Sequence, residues 1–388
     1  GTFQSRGMME PVAYAQVFEQ AIRVSIILIG TIIVMTTFSK SVYAAGNMAV
    51  LGTVIGELAG LILLFVYMKK KGILFKKSTT ISKWPIIKEV TIFSITVSMS
   101  SLLLLAYQLV DSFTVFSMLV DLGMPTLEAM ETKGIYDRGQ PLVQLGIVIA
   151  SSFSLAIVPL VAHKSKKGTR DEVPYIQLTY RASLLFGLAA SLGLVLVMPY
   201  ANTLLFKTDA LSPVLMLYVL QIIWLSIILT FTSILQGYGK LKVPTYFLLG
   251  ALTLKIAGNL LFIPLFGILG VSVASNIGLC ICALLLMYYL KKLKGIQLAT
   301  GNFYRKLFLA SMSMVVVVVL VAVLLNSVTD FSSVRMQAVV YSAVLILLGA
   351  CTFITVAAKL QILSVREWFI IPFGRKMATY QLWLNKKK

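Results

Sequence analysis

Residues 315–325 read Val-Val-Val-Val-Val-Leu-Val-Ala-Val-Leu-Leu, eleven positions with no polar residue among them. A strand in a membrane barrel alternates apolar and polar side chains, because one face meets lipid and the other a lumen. This run does not alternate. The stretch around it, 305–326, is long enough to cross about 30 Å of hydrocarbon at 1.5 Å per residue as a helix. Nine further apolar stretches of that length occur, at 13–36, 46–68, 90–119, 141–162, 176–198, 212–235, 244–264, 268–290 and 335–358. The expected fold is therefore an all-α integral membrane protein with ten transmembrane helices.

Composition agrees. Of the 388 residues 59% are hydrophobic and only 12% charged, against about 25% charged in a soluble domain. So little polarity cannot cover a surface in water, so lipid must be part of the solvent. The first residues, Gly-Thr-Phe-Gln-Ser-Arg-Gly-Met-Met-Glu-Pro, lack a basic segment leading into a short apolar stretch, and no cleavable signal peptide is expected.

The net charge of +20 raises the question of nucleic acid, but its placement answers it. With the N-terminus in the cytoplasm, the inner segments 1–12, 69–89, 163–181, 236–243, 291–306 and 359–388 hold 27 of the 34 Lys and Arg. The outer segments hold five: Lys40, Lys133, Arg138, Lys207 and Arg335. That asymmetry sets the orientation, with both ends cytoplasmic. It assigns the basic rim to anionic lipid on the inner face rather than to nucleic acid. The tail 359–388, with Trp368, Phe369, Trp383 and Lys386–Lys388, reads as an amphipathic segment on that inner surface.

Little here suggests catalysis or metal binding. Cys280, Cys282 and Cys351 lie in apolar runs, where cysteine behaves as a small hydrophobe, and the lone His163 has no partner ligands. No phosphate-cradling glycine loop is present, and the longest outer loop, 121–139, has carboxylates but no histidine. Neither an enzyme nor a cofactor is expected.

Two stretches resemble each other. Gln4-x-x-Gly7, Pro11 and Arg23 are matched by Gln236-x-x-Gly239, Pro244 and Lys255. Each is followed by a helix with small residues at every fourth position: Gly52, Gly56 and Gly60 in one, Gly270, Ala274 and Gly278 in the other. That spacing lets helices approach closely in lipid. Both copies run in the same direction, which is the pattern of a parallel repeat of six helices. On this reading 1–68 is the end of a first lobe and 69–89 a basic loop between lobes. Residues 90–290 form a complete second lobe, and 303–358 two additional helices.

Four ionisable groups lie well inside the spans: Arg23, Glu57, Asp111 and Lys255. Such groups are costly in hydrocarbon and face a cavity or a partner. Arg23 shares a helical face with Gln16, Glu19 and Gln20, and a salt bridge to Glu19 is the plainer alternative to lining a cavity. Lys255, with Asn259 one turn on, has no acid on its own helix. Asp111 ends a polar face with Ser94, Ser98, Ser101, Gln108 and Ser112, answered on the next span by Gln140, Gln144, Ser151 and Ser154. These faces suit a wet cavity or hydrogen-bonded helix packing. Glu57 shares the helix of the glycine stripe, where packing is the plainer role.

These residues carry a family resemblance. Phe3-Gln4-x-x-Gly7, Pro11, Gln16, Glu19-Gln20 and Arg23 resemble the segment leading into the fifth helix of bacterial MurJ/SpoVB-type flippases, of the multidrug/oligosaccharidyl-lipid/polysaccharide exporter superfamily. Val110-Asp111-Ser112-Phe113-Thr114 and Gly134-Ile135-Tyr136-Asp137-Arg138-Gly139-Gln140-Pro141-Leu142 are similar to the signature around its seventh and eighth helices. Leu235-Gln236-Gly237-x-Gly239, Pro244, Lys255 and Asn259 resemble the approach to its eleventh.

The resemblance implies a MATE-like two-lobe architecture of fourteen helices, of which the first four would precede this chain. It implies export of an undecaprenyl-pyrophosphate-linked saccharide, such as lipid II or a polysaccharide unit, by alternating access. Cell-wall synthesis proteins would be possible partners. Arg23 and Lys255 would be the cavity cations that meet the pyrophosphate, with Gln16, Gln20, Gln108, Asp111, Gln144 and Asn259 as polar lining. Ion coupling would fall to Asp111 or Glu57. The alternatives are a MATE-type multidrug antiporter, which would favour an acid-centred cavity, and, further off, a membrane glycosyltransferase or polymerase, or a non-transporting scaffold.

Overall fold

The computed structural model describes residues 3, 10–36, 42–72, 83–148, 152, 172–328, 334–371 and 374–386. Ser151, Ser154, His163, the Gln4-x-x-Gly7 motif, the middle of the basic loop and Lys387–Lys388 lie outside the described residues, as does most of the span expected at 141–162. The described residues form helices and turns. Nine of the helical segments are long and apolar enough to cross a membrane, as the backbone requires where no water can satisfy its polar groups.

The chain divides into two compact units, Gly1–Pro85 and Ile86–Lys388. The first is a helical hairpin, α1 (Glu10–Thr36) and α2 (Val42–Lys70). Its glycine stripe acts as the spacing predicts. A Cβ at Gly56 would press on the Glu19 carbonyl oxygen at 3.0 Å and on Arg23 Cβ at 3.1 Å. The absence of side chains on α2 therefore lets α1 lie against it at the level of Arg23.

The second unit takes up α3 (Lys83–Asp121) from Ile86 onward, then α4 (Thr126–Asp137). A helix follows whose described part is 139–148 (α5). Next come α6 (Val173–Phe206), α7 (Ser212–Val219), α8 (Gln221–Gly237), α9 (Lys242–Phe266) and α10 (Ile268–Lys294). The last four are α11 (Gly301–Val328), α12 (Val334–Lys359), α13 (Val365–Ile370) and α14 (Gly374–Asn385).

Three expectations change in detail. The outer loop expected at 121–139 is mostly α4, whose Ala129 and Tyr136 are buried. The span expected at 212–235 is present as Ser212–Gly237, but its helix is interrupted at Leu220, where the hydrogen bonding tightens to i→i+3, with Leu220 N–H on Leu217 O at 3.3 Å. The tail is folded rather than wholly superficial. Trp368 is 2% exposed and donates from Nε1 to Gln381 Oε1 at 2.7 Å, while Arg181 of α6 pairs with Glu367. Phe369, Leu382 and Trp383 keep the amphipathic character on the outer side of the same two helices.

α6 is the axis of this unit. Its Tyr180 packs with Phe231 and Leu286, its Leu185 with Leu345 and Trp368, and its Met198 with Tyr136 and Leu215. The hairpin α9–α10 closes through a small-residue contact like that of α1–α2. A Cβ at Gly270 would overlap the Phe262 carbonyl, and one at Gly258 would overlap Ala274.

Candidate functional site

Each unit holds its own polar site. In the first, Arg23 donates to Glu19 Oε1 at 2.7 Å and stands 3.9 Å from Glu57 Oε1. Gln16 and Gln20 lie exposed on the same helix. One guanidinium between two carboxylates leaves the group with one excess negative charge when all three are ionised, and Arg23 Nε has no partner. Glu57 is thus within reach of Arg23 as well as on the glycine-bearing helix.

In the second unit the groups named from the sequence come together more tightly. Lys255, expected as an unpaired cation on a cavity wall, is fully buried and paired: its Nζ is 2.7 Å from Asp111 Oδ1. It also donates to Ser275 Oγ and to the Val271 carbonyl at 3.2 Å. An ammonium has three donors, and all three are used. Its positive charge lies 5.5 Å from the Tyr107 ring centroid, a favourable cation–π arrangement.

Asp111 is equally saturated. Oδ1 also accepts from Asn259 Nδ2 at 3.0 Å, and Oδ2 accepts from the Tyr136 hydroxyl at 3.1 Å. Asn259 reaches Thr114 Oγ1 at 2.9 Å, and Tyr107 donates to the Ser275 carbonyl at 2.7 Å. The network ties α3, α4, α9 and α10 at one level. Charges taken from water need this much compensation, since desolvation costs several kcal/mol per ion.

The sequence singled out Asp111, Lys255 and Asn259 but not their shell of Tyr107, Val271 and Ser275, and Thr114 only inside a family signature. Tyr136 was visible only as part of a family signature. A lone tyrosine, or a backbone carbonyl in an apolar run, carries no sequence signal of pairing; only the crossing of α3 with α9–α10 selects it. The facing polar faces of α3 and α5 do meet, with Gln140 Nε2 donating to Gln108 Oε1 at 2.7 Å. Gln144, on the same side of α5, is exposed.

A further feature had no sequence signal. An apolar groove of about 420 Å³ runs between α6, α11 and α12, with Gly193, Val318, Gly349, Phe353, Trp368 and Met377 among the residues that line it.

A smaller ion pair fixes one end of the second unit. Glu172 Oε1 accepts from Lys294 Nζ at 2.9 Å and from the Tyr238 hydroxyl at 3.2 Å. Burial raises the Glu172 carboxyl, but the Lys294 ammonium and the Tyr238 hydroxyl outweigh it and hold it below the usual carboxylate range. A carboxyl depressed by folding stabilises the fold above its unfolded value of about 4.3 and loses that contribution as pH falls through the folded value. Glu172→Gln is therefore expected to lower stability by about 1–3 kcal/mol at pH 7. The gap from wild type should close as the solution is acidified below pH 4, as thermal unfolding in detergent at a series of pH values would show.

Helices of spanning length whose interior charges pair with one another define a multi-pass helical membrane protein, with the buried polar network expected of a transporter. Comparison with known proteins takes this further. The family model described as lipid II flippase MurJ matches residues 4–349, and the chain belongs to that family. It is 30% identical over 385 residues to the uncharacterized membrane protein YabM of Bacillus subtilis (strain 168), covering 98% of this chain and 72% of that one. It is 24% identical over 291 residues to the lipid II flippase MurJ of the same organism, covering 72% of this chain and 54% of that one. A solved structure of lipid II flippase MurJ in an inward closed conformation shares the fold, at a TM-score of 0.61 and 17% identity over 88% of this chain and 66% of that one.

Proposed function

We propose that this protein flips a lipid-linked saccharide across the bacterial inner membrane by alternating access, with both ends of the chain cytoplasmic. The observation that carries this reading is the family match across residues 4–349, and the physical features of the fold support it. A lipid-linked sugar must keep an apolar tail in a lipid-like environment while its polar head crosses. The groove along α6, α11 and α12 is apolar throughout, with alanines and glycines among larger side chains, as a tail requires.

The anionic head needs cations, because a buried charge without a partner is costly. Arg23 is the cation assigned to that role: its forked guanidinium suits a phosphate, and its Nε is unpartnered. Lys255 has no free donor while it holds Asp111, so it meets a pyrophosphate only in a conformation that gives up that pair. Protonating Asp111 removes the charge that holds Nζ, which makes Asp111 the group through which an ion gradient would act. Glu57, beside Arg23, is the second coupling group.

The excess carboxylate around Arg23 favours one other reading, a MATE-type antiporter for cationic drugs. A single assay separates the two: transfer of a fluorescent undecaprenyl-pyrophosphate saccharide across liposomes containing the whole protein. Flipping should occur in wild type, fall at least about tenfold in Arg23→Ala, and become indifferent to an imposed proton gradient in Asp111→Asn. Drug-dependent proton flux without lipid transfer would establish the antiporter instead. Wild-type rates in Arg23→Ala would remove that residue from the head-group site.

A further inference from the structure

Beside the Asp111–Lys255 pair, α3, α5, α7, α8 and α10 enclose a second, much smaller cavity, of about 80 Å³. Its polar lining is made of primary amides and two phenols: Gln108, Gln140, Gln144, Gln221, Tyr218 and Tyr107, the last with its hydroxyl already donated to the Ser275 carbonyl. Leu104, Val143, Leu225 and Leu279 supply apolar wall. Two glycines create the close approach that bounds it. A Cβ at Gly139 would overlap the Tyr218 ring, and one at Gly146 would overlap Ile222, so α5 lies directly on α7–α8.

Gln221 is the anomaly. It is 6% exposed, it lines the cavity, and its Nε2 has no hydrogen-bond partner. A buried donor left unpaired costs about 1–3 kcal/mol, which a fold tolerates where an acceptor arrives from outside. At the other side Gln144 is exposed, and Gln108 and Gln140 are half-buried and bonded to each other. The cavity thus has a mouth of amides, an orphaned donor within and apolar walls between.

No carboxylate, lysine or arginine lines it. A pyrophosphate or a cationic drug would lose its hydration there without a counter-charge. A group that matches the lining is small and neutral, with a carbonyl oxygen for Gln221 Nε2, an N–H for an amide oxygen at the mouth, and a methyl for the leucine and valine wall. We infer that this cavity is a recognition subsite for the acetamido group of an N-acetylated saccharide. The inference deepens the proposed function and rests on it in one respect, that the cargo carries a saccharide. Water is the competing occupant, since the volume also admits about five molecules.

The test uses the whole protein in lipid nanodiscs and saturation-transfer NMR with free N-acetylglucosamine and, separately, glucose. The acetyl methyl resonance should receive saturation in wild type, and glucose should show none. In Gln221→Leu, of matched shape, the signal should disappear; in Gln144→Ala, at the exposed mouth where folding is undisturbed, it should weaken about two- to tenfold. Equal saturation of glucose, no acetyl signal in wild type (a cavity filled by water only), or undiminished signal in both variants would each overturn the subsite. The liposome assay keeps the two claims apart. Lipid-linked saccharide transfer without an acetyl signal removes the subsite alone, and an acetyl signal without transfer removes the flippase reading and leaves the subsite.

Discussion

Lys255→Met is expected to cost about 3–5 kcal/mol of stability, the largest effect of any single change away from the helix contacts. Methionine fills much of the same volume, so the loss is electrostatic. Asp111, 7% exposed, is left as a buried carboxylate without its counter-ion, and removing one partner of a buried pair costs in that range. Asp111→Asn has the complementary effect, stranding the ammonium against Ser275 and the Val271 carbonyl. The double variant Asp111→Asn/Lys255→Met removes both charges and should recover most of the loss, since neutral replacement of a buried pair is often tolerated. Thermal unfolding of the four proteins in one detergent reads this as a double-mutant cycle. Additive losses in the double variant would mean that the two groups do not hold each other.

Gly270→Val should be comparably severe, for a steric reason. Even a Cβ at this position would overlap the Phe262 carbonyl oxygen and carbon. Those are backbone atoms inside α9, which cannot swing aside as a side chain can. The hairpin must open, and forcing extra atoms into a packed contact costs about 1–3 kcal/mol or more. Opening it also parts Lys255 on α9 from Val271 and Ser275 on α10, so the polar network fails together with the packing. Gly193→Val is the internal control, because nothing lies within 4 Å of a Cβ there. Reduced yield and a lower unfolding midpoint for Gly270→Val, with Gly193→Val close to wild type, is the expected pattern. Equal midpoints would show that the hairpin has room the geometry denies.

Much of this was legible in the sequence, for definite reasons. Hydrocarbon admits few backbone solutions, so runs such as Val315–Leu325 could only be helices, and the helix Gly301–Val328 contains that run. The glycine stripes were readable because a missing side chain at every fourth position has one main use in lipid. Arg23 with Glu19 was readable because i, i+4 partners share a helix face, and the bond is there at 2.7 Å.

What the sequence could not supply was every pairing between distant helices. Lys255 looked solitary because its acid is 144 positions earlier, on a helix whose rotation no local pattern fixes. Once α3 crosses α9, Asp111 Oδ1 stands 2.7 Å from Nζ, and a candidate phosphate ligand becomes half of a saturated ion pair. The 121–139 segment read as a loop because its charges broke the apolar period; packing of Ala129 and Tyr136 makes it helical. Cavities follow the same rule, since the volumes at Gln221 and along α6, α11 and α12 exist only between elements.

The sequence by itself determined the solvent, the helices and the charges that must find partners. Hydrophobicity, helix period and desolvation are local costs, set residue by residue. Only the tertiary structure decided which partners they found, because a hydrogen bond or an ion pair depends on distances between residues that the chain order leaves free.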